Sequence, residues 1–185
     1  MLFLVSFISF LSLLCVIPAE EAPIKIVLEK FYACEGKKYN ETEYTDVEFE
    51  QYNRTTAVMN AKLHVNKEMS EMLNLFVDVS KCDSKQQTDS CQHLATEHLQ
   101  DICVNMNNSS RPYKGFVDSM AEFDRKCPWK TGVYTIAEYI MSLKDLEEMP
   151  AITGYYILTF RPFDADKQIG CNVGEISIVK KRRSS

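Results

Sequence analysis

The number and spacing of cysteines constrain this chain more than any other feature of its sequence. The chain contains seven cysteines, an odd number, but Cys15 lies inside an apolar run at the amino terminus. If that run is removed, an even set remains, which indicates a disulfide framework formed in an oxidising compartment. A zinc site would favour close pairs such as Cys-x-x-Cys, and the sequence contains none. The six remaining cysteines are Cys34, Cys82, Cys91, Cys103, Cys127 and Cys171.

The apolar run itself predicts a cleavable signal peptide. Residues 2–17 contain no charged side chain, and a Pro-Ala step separates them from two glutamates. An apolar core that ends at a small residue is typical of a secretory signal, so we place cleavage after Ala19. An uncleaved anchor helix would need about 20 apolar residues, and this run is shorter. We therefore expect residues 1–19 to be removed and residues 20–185 to form one secreted, extracellular domain.

Four glycosylation sequons agree with secretion. Each has the form Asn-x-Ser or Asn-x-Thr, and four such triplets behind a signal peptide indicate a glycoprotein more strongly than one alone. A glycan cannot be packed inside a protein, so these asparagines are expected to face water. Two of them are adjacent, and steric crowding should allow only one of that pair to be used. The sequon asparagines are Asn40, Asn53, Asn107 and Asn108.

Alternation of apolar and polar residues predicts a mainly β fold. A period of two places the apolar side chains on one face of a half-buried sheet. Short polar links between the first four strands favour an antiparallel meander. The early strands are predicted at 24–29, 46–50, 59–66 and 73–80, and the late ones at 133–141, 155–163 and 171–179.

Two segments between these groups of strands predict helices. Residues 89–106 carry apolar residues and cysteines at spacings of three and four, which is the period of an amphipathic helix. A second, shorter stripe contains Phe116, Val117, Met120 and Phe123. It ends before the Cys-Pro step at 127–128, because proline disfavours helix in the residue before it.

Motifs for catalysis or cofactor binding are missing from the sequence. It contains no G-x-S-x-G elbow, no phosphate-binding glycine loop and no H-E-x-x-H, so we expect neither an enzyme nor a cofactor or metal. His93 and His98 flank Glu97, but on the predicted helix the two histidines would point about 140° apart. They are therefore interpreted as part of an exposed helix face. His64 is expected on the polar side of its strand.

The charge distribution does not indicate a nucleic-acid partner. The net charge is −5, and basic residues do not cluster as they do on a nucleic-acid surface. The exception is the basic tail at 180–183. A solvated chain end is the simpler interpretation, and a contact with an anionic headgroup or a processing site is the alternative.

The order of motifs in the carboxyl-terminal half resembles that of a known family. The run CPWKTGVY at 127–134 opens a strand, the strand YYIL at 155–158 follows a proline by four residues, and Cys171 precedes the last strand. This order resembles a family of small secreted arthropod proteins that includes the CheB-type chemosensory proteins and is similar to the ganglioside activator protein. The resemblance extends from about Cys34 to Val179 and is strongest over 127–179.

The resemblance implies a fold and a purpose. It implies an antiparallel β-cup around an apolar cavity, with a helical segment near the rim. The cavity of the ganglioside activator holds lipid acyl chains, although that protein has an additional disulfide that this chain lacks. The broader group of MD-2-related lipid-recognition proteins shares the purpose with a different, sandwich-type fold.

The resemblance also bears on the disulfide pairing. It suggests a Cys34–Cys171 bridge that ties the first strand to the last. Cys82 and Cys91 bracket a polar turn, so a local bridge between them is geometrically easy, and Cys103 would then pair with Cys127. A Cys91–Cys103 linkage on one predicted helix is the main alternative.

We therefore expect an extracellular, non-enzymatic carrier or presenter of a lipid or other hydrophobic small molecule, with a chemosensory role implied by the resemblance alone. A membrane surface or a receptor is a candidate partner, and nucleic acid is not. One alternative is a protein-interaction module without a ligand cavity, and another is a secreted hydrolase assembled from distant residues. Trp129 is either a rim residue or a core plug. The predicted cavity residues are Leu63, Val65, Leu75, Val77, Phe116, Met120, Phe123, Trp129, Tyr134, Ile136, Tyr156, Leu158 and Phe160.

Overall fold

A computed structural model describes residues 24–36, 38–52, 57–140 and 153–180. They form two antiparallel sheets with two short helices and three disulfides. This confirms the predicted mainly β, disulfide-stapled fold class. The predicted signal peptide, the sequon at Asn53 and most of the basic tail lie outside the described residues.

The larger sheet contains six strands, which are β1 (Ile24–Ala33), β4 (Leu73–Cys82), β5 (Gln92–Leu99), β8 (Gly154–Asp164), β9 (Lys167–Gln168) and β10 (Asn172–Lys180). Their order is β1-β10-β8-β4-β5, with β9 paired to β8. Alternation positions their side chains as predicted. In β8, Tyr156 and Leu158 are buried on the inner face, and Tyr155 lies on the opposite face.

The smaller sheet contains four strands, which are β2 (Thr42–Gln51), β3 (Ala57–Val65), β6 (Met120–Ala121) and β7 (Gly132–Ile140), in the order β2-β3-β7-β6. Its inner face is apolar because β3 buries Ala61, Leu63 and Val65, while Lys62 between them is exposed. One face of the sheet is therefore exposed to solvent and the other is buried, which is the usual reason for strict alternation of polar and apolar residues.

Residues 100–131 connect β5 to β7 and cover the inner face of the smaller sheet; we call them the covering segment. The segment includes α1 (Ile102–Asn105), α2 (Lys114–Ser119) and the short strand β6. Met106, Val117 and Met120 of this segment are buried in one cluster with the inner residues of β3 and β7. Burial of this apolar stripe holds the short helices in place, since helices of this length are marginal alone.

The predicted strands are confirmed in position, but the predicted meander is wrong. Of the first four strands, only β2 and β3 pair with each other. β1 pairs with β10, and β4 pairs with β5 and β8. Alternation specifies which face of a strand is buried but not which strand lies beside it, so the partners could not be deduced from it.

The predicted helix at 89–106 is also wrong over most of its length. Residues 92–99 form the edge strand β5, and only Ile102–Asn105 is helical. The Cys82–Cys91 bridge turns the chain back along β4, where Thr96 donates a 2.7 Å hydrogen bond to Asp78 and His98 stacks on Phe76. Long-range pairing thus overrides a local period of three to four. Leu94, which belonged to the proposed helical stripe, is 45% exposed.

The second helical stripe is confirmed in part. Phe116 and Val117 lie on α2, but Met120 begins strand β6, where it pairs with Ile136. Phe123 lies in the loop beyond that strand. All four side chains still belong to one apolar cluster or pack against it.

The three disulfides are those predicted. Cys34–Cys171 joins the end of β1 to the start of β10, Cys82–Cys91 closes the turn between β4 and β5, and Cys103–Cys127 clamps the covering segment. The competing Cys91–Cys103 linkage is wrong, because the two cysteines lie at opposite ends of β5.

Buried apolar side chains form two clusters, one for each sheet. The first cluster lies between the smaller sheet and the covering segment, and includes Leu63, Met120 and Ile136. The second lies on the inner face of the larger sheet, around Tyr156 and Leu158. Leu28 of β1 packs against both clusters, so the inner faces of the two sheets border a common interior.

Candidate ligand-binding site

Apolar side chains on the inner face of the larger sheet are buried to different degrees. Val77 of β4 and Phe160 of β8 lie opposite each other in register, and both are only partly buried. Leu28 and Phe31 of β1 are also partly buried on this face. The inner face of the larger sheet therefore contains both buried apolar side chains and apolar side chains that remain partly exposed to solvent.

The smaller sheet presents a matching group. Tyr44, Val47 and Phe49 of β2 are partly buried and pack against the first cluster. The ring of Tyr44 meets the ring of Phe31 edge-on at 5.1 Å between centroids, and Phe31 lies 6.2 Å from Phe160. These contacts join the two sheets. We call these side chains the inner apolar set: Leu28, Phe31, Tyr44, Val47, Phe49, Val77 and Phe160.

The incomplete burial of the inner apolar set is the feature that makes this region a candidate ligand-binding site. Protein interiors are packed to the density of organic crystals, and facing sheets that filled their own interface would bury such side chains fully. Partly exposed apolar side chains that converge from two sheets offer surface to a small apolar molecule, since ligand sites are concave and largely apolar.

Most of the cavity residues predicted from sequence are core residues. Those that are fully buried in the two clusters are Leu63, Val65, Met120, Phe123, Trp129, Ile136, Tyr156 and Leu158. Those that keep partial exposure are Leu75, Val77, Phe116, Tyr134 and Phe160. All of the strand residues lie on inner faces as alternation predicted, but the prediction did not separate side chains that are buried in the core from side chains that stay partly exposed.

Trp129 lies in the core. Its side chain is 8% exposed and packs against Phe123 at 4.7 Å and Tyr134 at 6.5 Å between ring centroids. Its backbone carbonyl accepts a 3.1 Å hydrogen bond from the amide of Met69, which closes an isolated bridge. Of the two interpretations left open by the sequence, the structure therefore favours the core plug over the rim residue.

The sequence prediction missed five members of the inner apolar set: Leu28, Phe31, Tyr44, Val47 and Phe49. Leu28, Val47 and Phe49 follow the period of two in their predicted strands but were not assigned to the cavity, whereas two β-bulges explain the omission of Phe31 and Tyr44. One lies between Leu28 and Lys30, so Phe31 faces inward although it is three residues from Leu28. The other lies between Thr45 and Glu48, where Asp46 has a φ of 51°. A bulge breaks the period of two, and nothing in the residue pattern marks these two positions.

Two buried donors in the covering segment have no acceptor among the described residues. They are the indole N–H of Trp129 and the hydroxyl of Tyr113. Tyr113 is 9% exposed and belongs to the same cluster as Trp129. The Nε of Arg161 also has no partner, but that guanidinium is 35% exposed and pairs with Asp78 through another nitrogen.

The outer face of the larger sheet carries a polar cluster of a different kind. Glu175 of β10 is 5% exposed, and its carboxylate accepts hydrogen bonds from the hydroxyls of Tyr155 and Tyr32, the latter at 2.9 Å. Lys30 lies 3.3 Å away. Burial alone would raise the pKa of Glu175, but these three partners outweigh burial and hold that pKa below its ordinary value.

The same cluster changes the tyrosines in the opposite sense. Burial, together with the bond to Glu175, raises the pKa of Tyr32 to about 12 and raises that of Tyr155 as well. Beside them, Glu29 bonds to Lys85 and accepts a 2.8 Å hydrogen bond from Ser177, and the lysine bond is the main cause of its lowered pKa. The cluster is thus fully hydrogen-bonded and ionised at its carboxylates.

Two open concavities lie away from the inner apolar set. One, of about 500 Å³, is lined by Lys38, Tyr39, Asn40, Glu41, Phe163, Asp166, Lys167 and Gln168. The other, of about 450 Å³, is lined by Asp83, Ser84, Lys85, Thr153, Gly154, Tyr155, Ser177, Ile178 and Val179. Neither contains the converging apolar side chains that a hydrophobic ligand needs.

The histidines are placed apart from one another. His93 and His98 are exposed on strand β5 rather than on the expected helix face, and Nδ1 of His98 accepts a 2.9 Å hydrogen bond from the side-chain amide of Gln100. His64 is partly buried and bonds to Thr45 at 2.9 Å. Within the described ranges, no group of three metal-ligating side chains is positioned to hold an ion.

Three of the four sequon asparagines fall within the described residues. Asn40, Asn107 and Asn108 are all exposed. The side chain of Asn108 accepts a 3.0 Å hydrogen bond from the amide of Ser110. Their exposure fulfils the steric requirement for a glycan.

No protein-family model matches the chain, and no curated protein is significantly similar to it.

The three disulfides point to an oxidising or extracellular environment. Over the part of the chain that the structure covers, every helix is too short or too polar to cross a bilayer.

Proposed function

We propose that this protein is a secreted, non-enzymatic carrier or presenter of a lipid or other small hydrophobic molecule. The ligand binds between the inner faces of the two sheets, against the inner apolar set. A likeness to the CheB-type and ganglioside-activator proteins, with a chemosensory role, is part of the same proposal and rests on the order of motifs in the sequence.

The observation that carries the proposal is the partial exposure of apolar side chains where two sheets meet. Phe31 contacts both Tyr44 and Phe160 across the interior, yet all three side chains are only partly buried. An exposed apolar surface in a soluble protein usually marks a binding site.

The expected affinity follows from the area that an acyl chain would bury. Burying ten methylenes gains about 8 kcal/mol at about 0.8 kcal/mol per CH₂. Association and ordering remove several kcal/mol of this. A dissociation constant in the micromolar range is therefore expected.

A space-filling substitution tests the proposal more cleanly than a charge. A Met120→Asp change would introduce a carboxylate at a position that is 3% exposed, so it would unfold the protein rather than report on binding. Val77 is partly buried on the inner face, and Val77→Trp should occupy ligand space with an uncharged side chain that is apolar apart from its indole N–H. Val133, 48% exposed on the outer face of β7, provides the matched control Val133→Trp.

The measurement is the titration of delipidated protein with a fluorescent fatty acid. We expect micromolar binding by the wild type and by Val133→Trp, and a loss of tenfold or more by Val77→Trp. Circular dichroism and the denaturation midpoint establish that both variants fold. If folded wild type binds no acyl-chain probe at high micromolar concentration, the carrier proposal is wrong, and a protein-interaction module with a filled core takes its place.

A further inference from the structure

The covering segment contains two hydrogen-bond donors that folding has buried without an acceptor. The Trp129 indole N–H and the Tyr113 hydroxyl have no partner among the described residues, although both side chains are more than nine-tenths buried. Buried polar atoms are almost always paired, because an unpaired one forfeits its hydrogen bond to water. Two such donors in one cluster therefore call for an explanation.

Two other tyrosine hydroxyls of the described residues do have acceptors. The hydroxyl of Tyr134, whose ring contacts Trp129, donates a 2.8 Å bond to the carbonyl of Lys130. The hydroxyl of Tyr155 on the outer face donates to Glu175. Among the described residues, the buried donors without a partner are those of Tyr113 and Trp129 and the Nε of Arg161, whose guanidinium pairs with Asp78 through another nitrogen.

Both donors belong to the cluster that borders the proposed ligand site. Tyr44, Val47 and Phe49 of the inner apolar set pack against this cluster, and Tyr113 and Trp129 are members of it. The apolar surface and the unpaired donors are independent observations, since one concerns exposure of strand residues and the other hydrogen bonding in the covering segment. They meet on the same side of the smaller sheet.

We propose that the Trp129 indole N–H, with the Tyr113 hydroxyl, binds the polar end of the ligand. The ligand is then an amphiphile that carries an acceptor oxygen, such as a carboxylate, ester or other carbonyl, at the end of an apolar chain. A plain hydrocarbon would leave both donors unpaired and binds more weakly. Specificity of this kind arises because a buried donor discriminates against a ligand that cannot accept from it.

This inference rests on the proposed function, and the test separates the two. The probes are dodecane, methyl dodecanoate and dodecanoic acid, which share a chain length and differ in the acceptor. Trp129 is the only tryptophan of the chain, so nitrogen-labelled protein gives a single indole N–H resonance. That resonance should move downfield and exchange more slowly with the ester or the acid, and should not move downfield with dodecane.

Conservative variants supply the second readout. Tyr113→Phe removes only a hydroxyl, and Trp129→Phe removes the N–H while keeping an aromatic ring. Each should weaken binding of the ester and the acid about tenfold, which is one hydrogen bond's worth of affinity, and change dodecane binding less than about threefold. Tyr134→Phe is the matched control, because its hydroxyl already has an acceptor, and it should keep the wild-type preference.

The outcomes are distinct. If all three probes bind equally, the indole resonance stays in place and the variants keep the wild-type order, the polar anchor is refuted while the carrier function stands. If none of the probes binds to folded wild type, the carrier function itself fails and the anchor with it. A downfield shift with the ester and the acid alone, lost preference in Tyr113→Phe and Trp129→Phe, and an unchanged Tyr134→Phe establish the anchor.

Discussion

Buried polar groups are hydrogen-bonded on the outer face of the larger sheet but not all of them are in the covering segment over the smaller sheet. On the outer face, Glu175 is surrounded by Tyr155, Tyr32 and Lys30, and every group has a partner. In the covering segment, Tyr113 and Trp129 are equally buried but their donors are unpaired. The first arrangement stabilises a fold, whereas the second leaves two donors that the proposed ligand would pair.

This difference indicates where stability and function are located. A satisfied polar network on a sheet surface rigidifies the sheet. Unpaired donors beside partly exposed apolar side chains cost stability and are retained for another reason. Removal of the outer-face hydrogen bonds should therefore lower stability with little effect on binding, and removal of the two unpaired donors should lower binding with little effect on stability.

The largest expected effect comes from the disulfide that frames the larger sheet. Cys34→Ser with Cys171→Ser opens a loop with a sequence separation of 137, and Cys103→Ser with Cys127→Ser opens one of 24. Through the unfolded state, the first pair should cost roughly 4 to 5 kcal/mol and the second roughly 3 kcal/mol. Urea denaturation of both double variants measures the difference. Loss of Cys103–Cys127 should weaken ligand binding more than loss of Cys34–Cys171 does. If its loss also cost more stability, the larger sheet would not be the main source of stability.

Two matched tyrosine variants test whether a paired hydroxyl stabilises the fold while an unpaired one does not. Tyr155→Phe removes a donor to a buried carboxylate and should destabilise the protein by about 1.5 to 3 kcal/mol. Tyr113→Phe removes a hydroxyl that has no partner, so its unfolding free energy should stay within about 0.5 kcal/mol of wild type or rise slightly. Thermal and chemical denaturation check both values. A large loss in Tyr113→Phe would mean that its hydroxyl has a structural partner after all.

The pH dependence of stability should report on the outer cluster. The pKa of Glu175 is lower in the folded protein than its ordinary value of 4.5, so the folded state favours the ionised carboxylate. The resulting stability is fully present above pH 4.5 and is lost as the pH falls through the folded value. Glu29, with its own lowered pKa, contributes in the same direction.

Glu175→Gln isolates this contribution, because glutamine keeps the size of the side chain without its charge. The variant should be less stable than wild type at neutral pH, and this difference in stability should narrow as the pH falls below 4.5. Denaturation midpoints measured over this range give the result. A gap that stays constant with pH would show that the charge of Glu175 is not what its neighbours stabilise.

The smallest effect on stability is expected at the exposed sequons, which lie outside both regions. Asn40→Gln should remove one glycan from protein made in a eukaryotic secretory host while leaving the denaturation midpoint nearly unchanged, because the side chain is exposed. Intact mass before and after glycosidase treatment gives the count. A wild-type mass that glycosidase does not alter would contradict the proposal of a secreted glycoprotein.

Much of the fold could be predicted because a β-sheet with one buried face requires apolar and polar residues to alternate along each strand. The alternation at 59–65 and 73–79 identified strands and their inner faces correctly. The disulfide pairing followed from the even cysteine set, the turn between Cys82 and Cys91, and the family resemblance. These signals are local or concern few residues, which is why they were sufficient.

The failures share a physical cause, which is that tertiary pairing is not encoded locally. The segment 92–99 has a helical period but becomes an edge strand because β4 offers it a ladder and Cys91 fixes the turn. The bulges near Lys30 and Asp46 put Phe31 out of step with Leu28, and Tyr44 out of step with Val47, although all four side chains face inward. The unpaired donors of Tyr113 and Trp129 can be recognised only once every neighbour is placed.

The central claim, that the interior binds an apolar ligand, is tested most directly by native mass spectrometry of protein secreted from a eukaryotic host. We predict a complex of one protein with one chain-bearing amphiphile, whose added mass disappears on extraction with organic solvent and is restored by dodecanoic acid. The Val77→Trp variant should carry little or none of it, and Val133→Trp should carry as much as wild type. A bare protein mass in every case, from folded protein that dodecanoic acid does not convert to a complex, would contradict the claim.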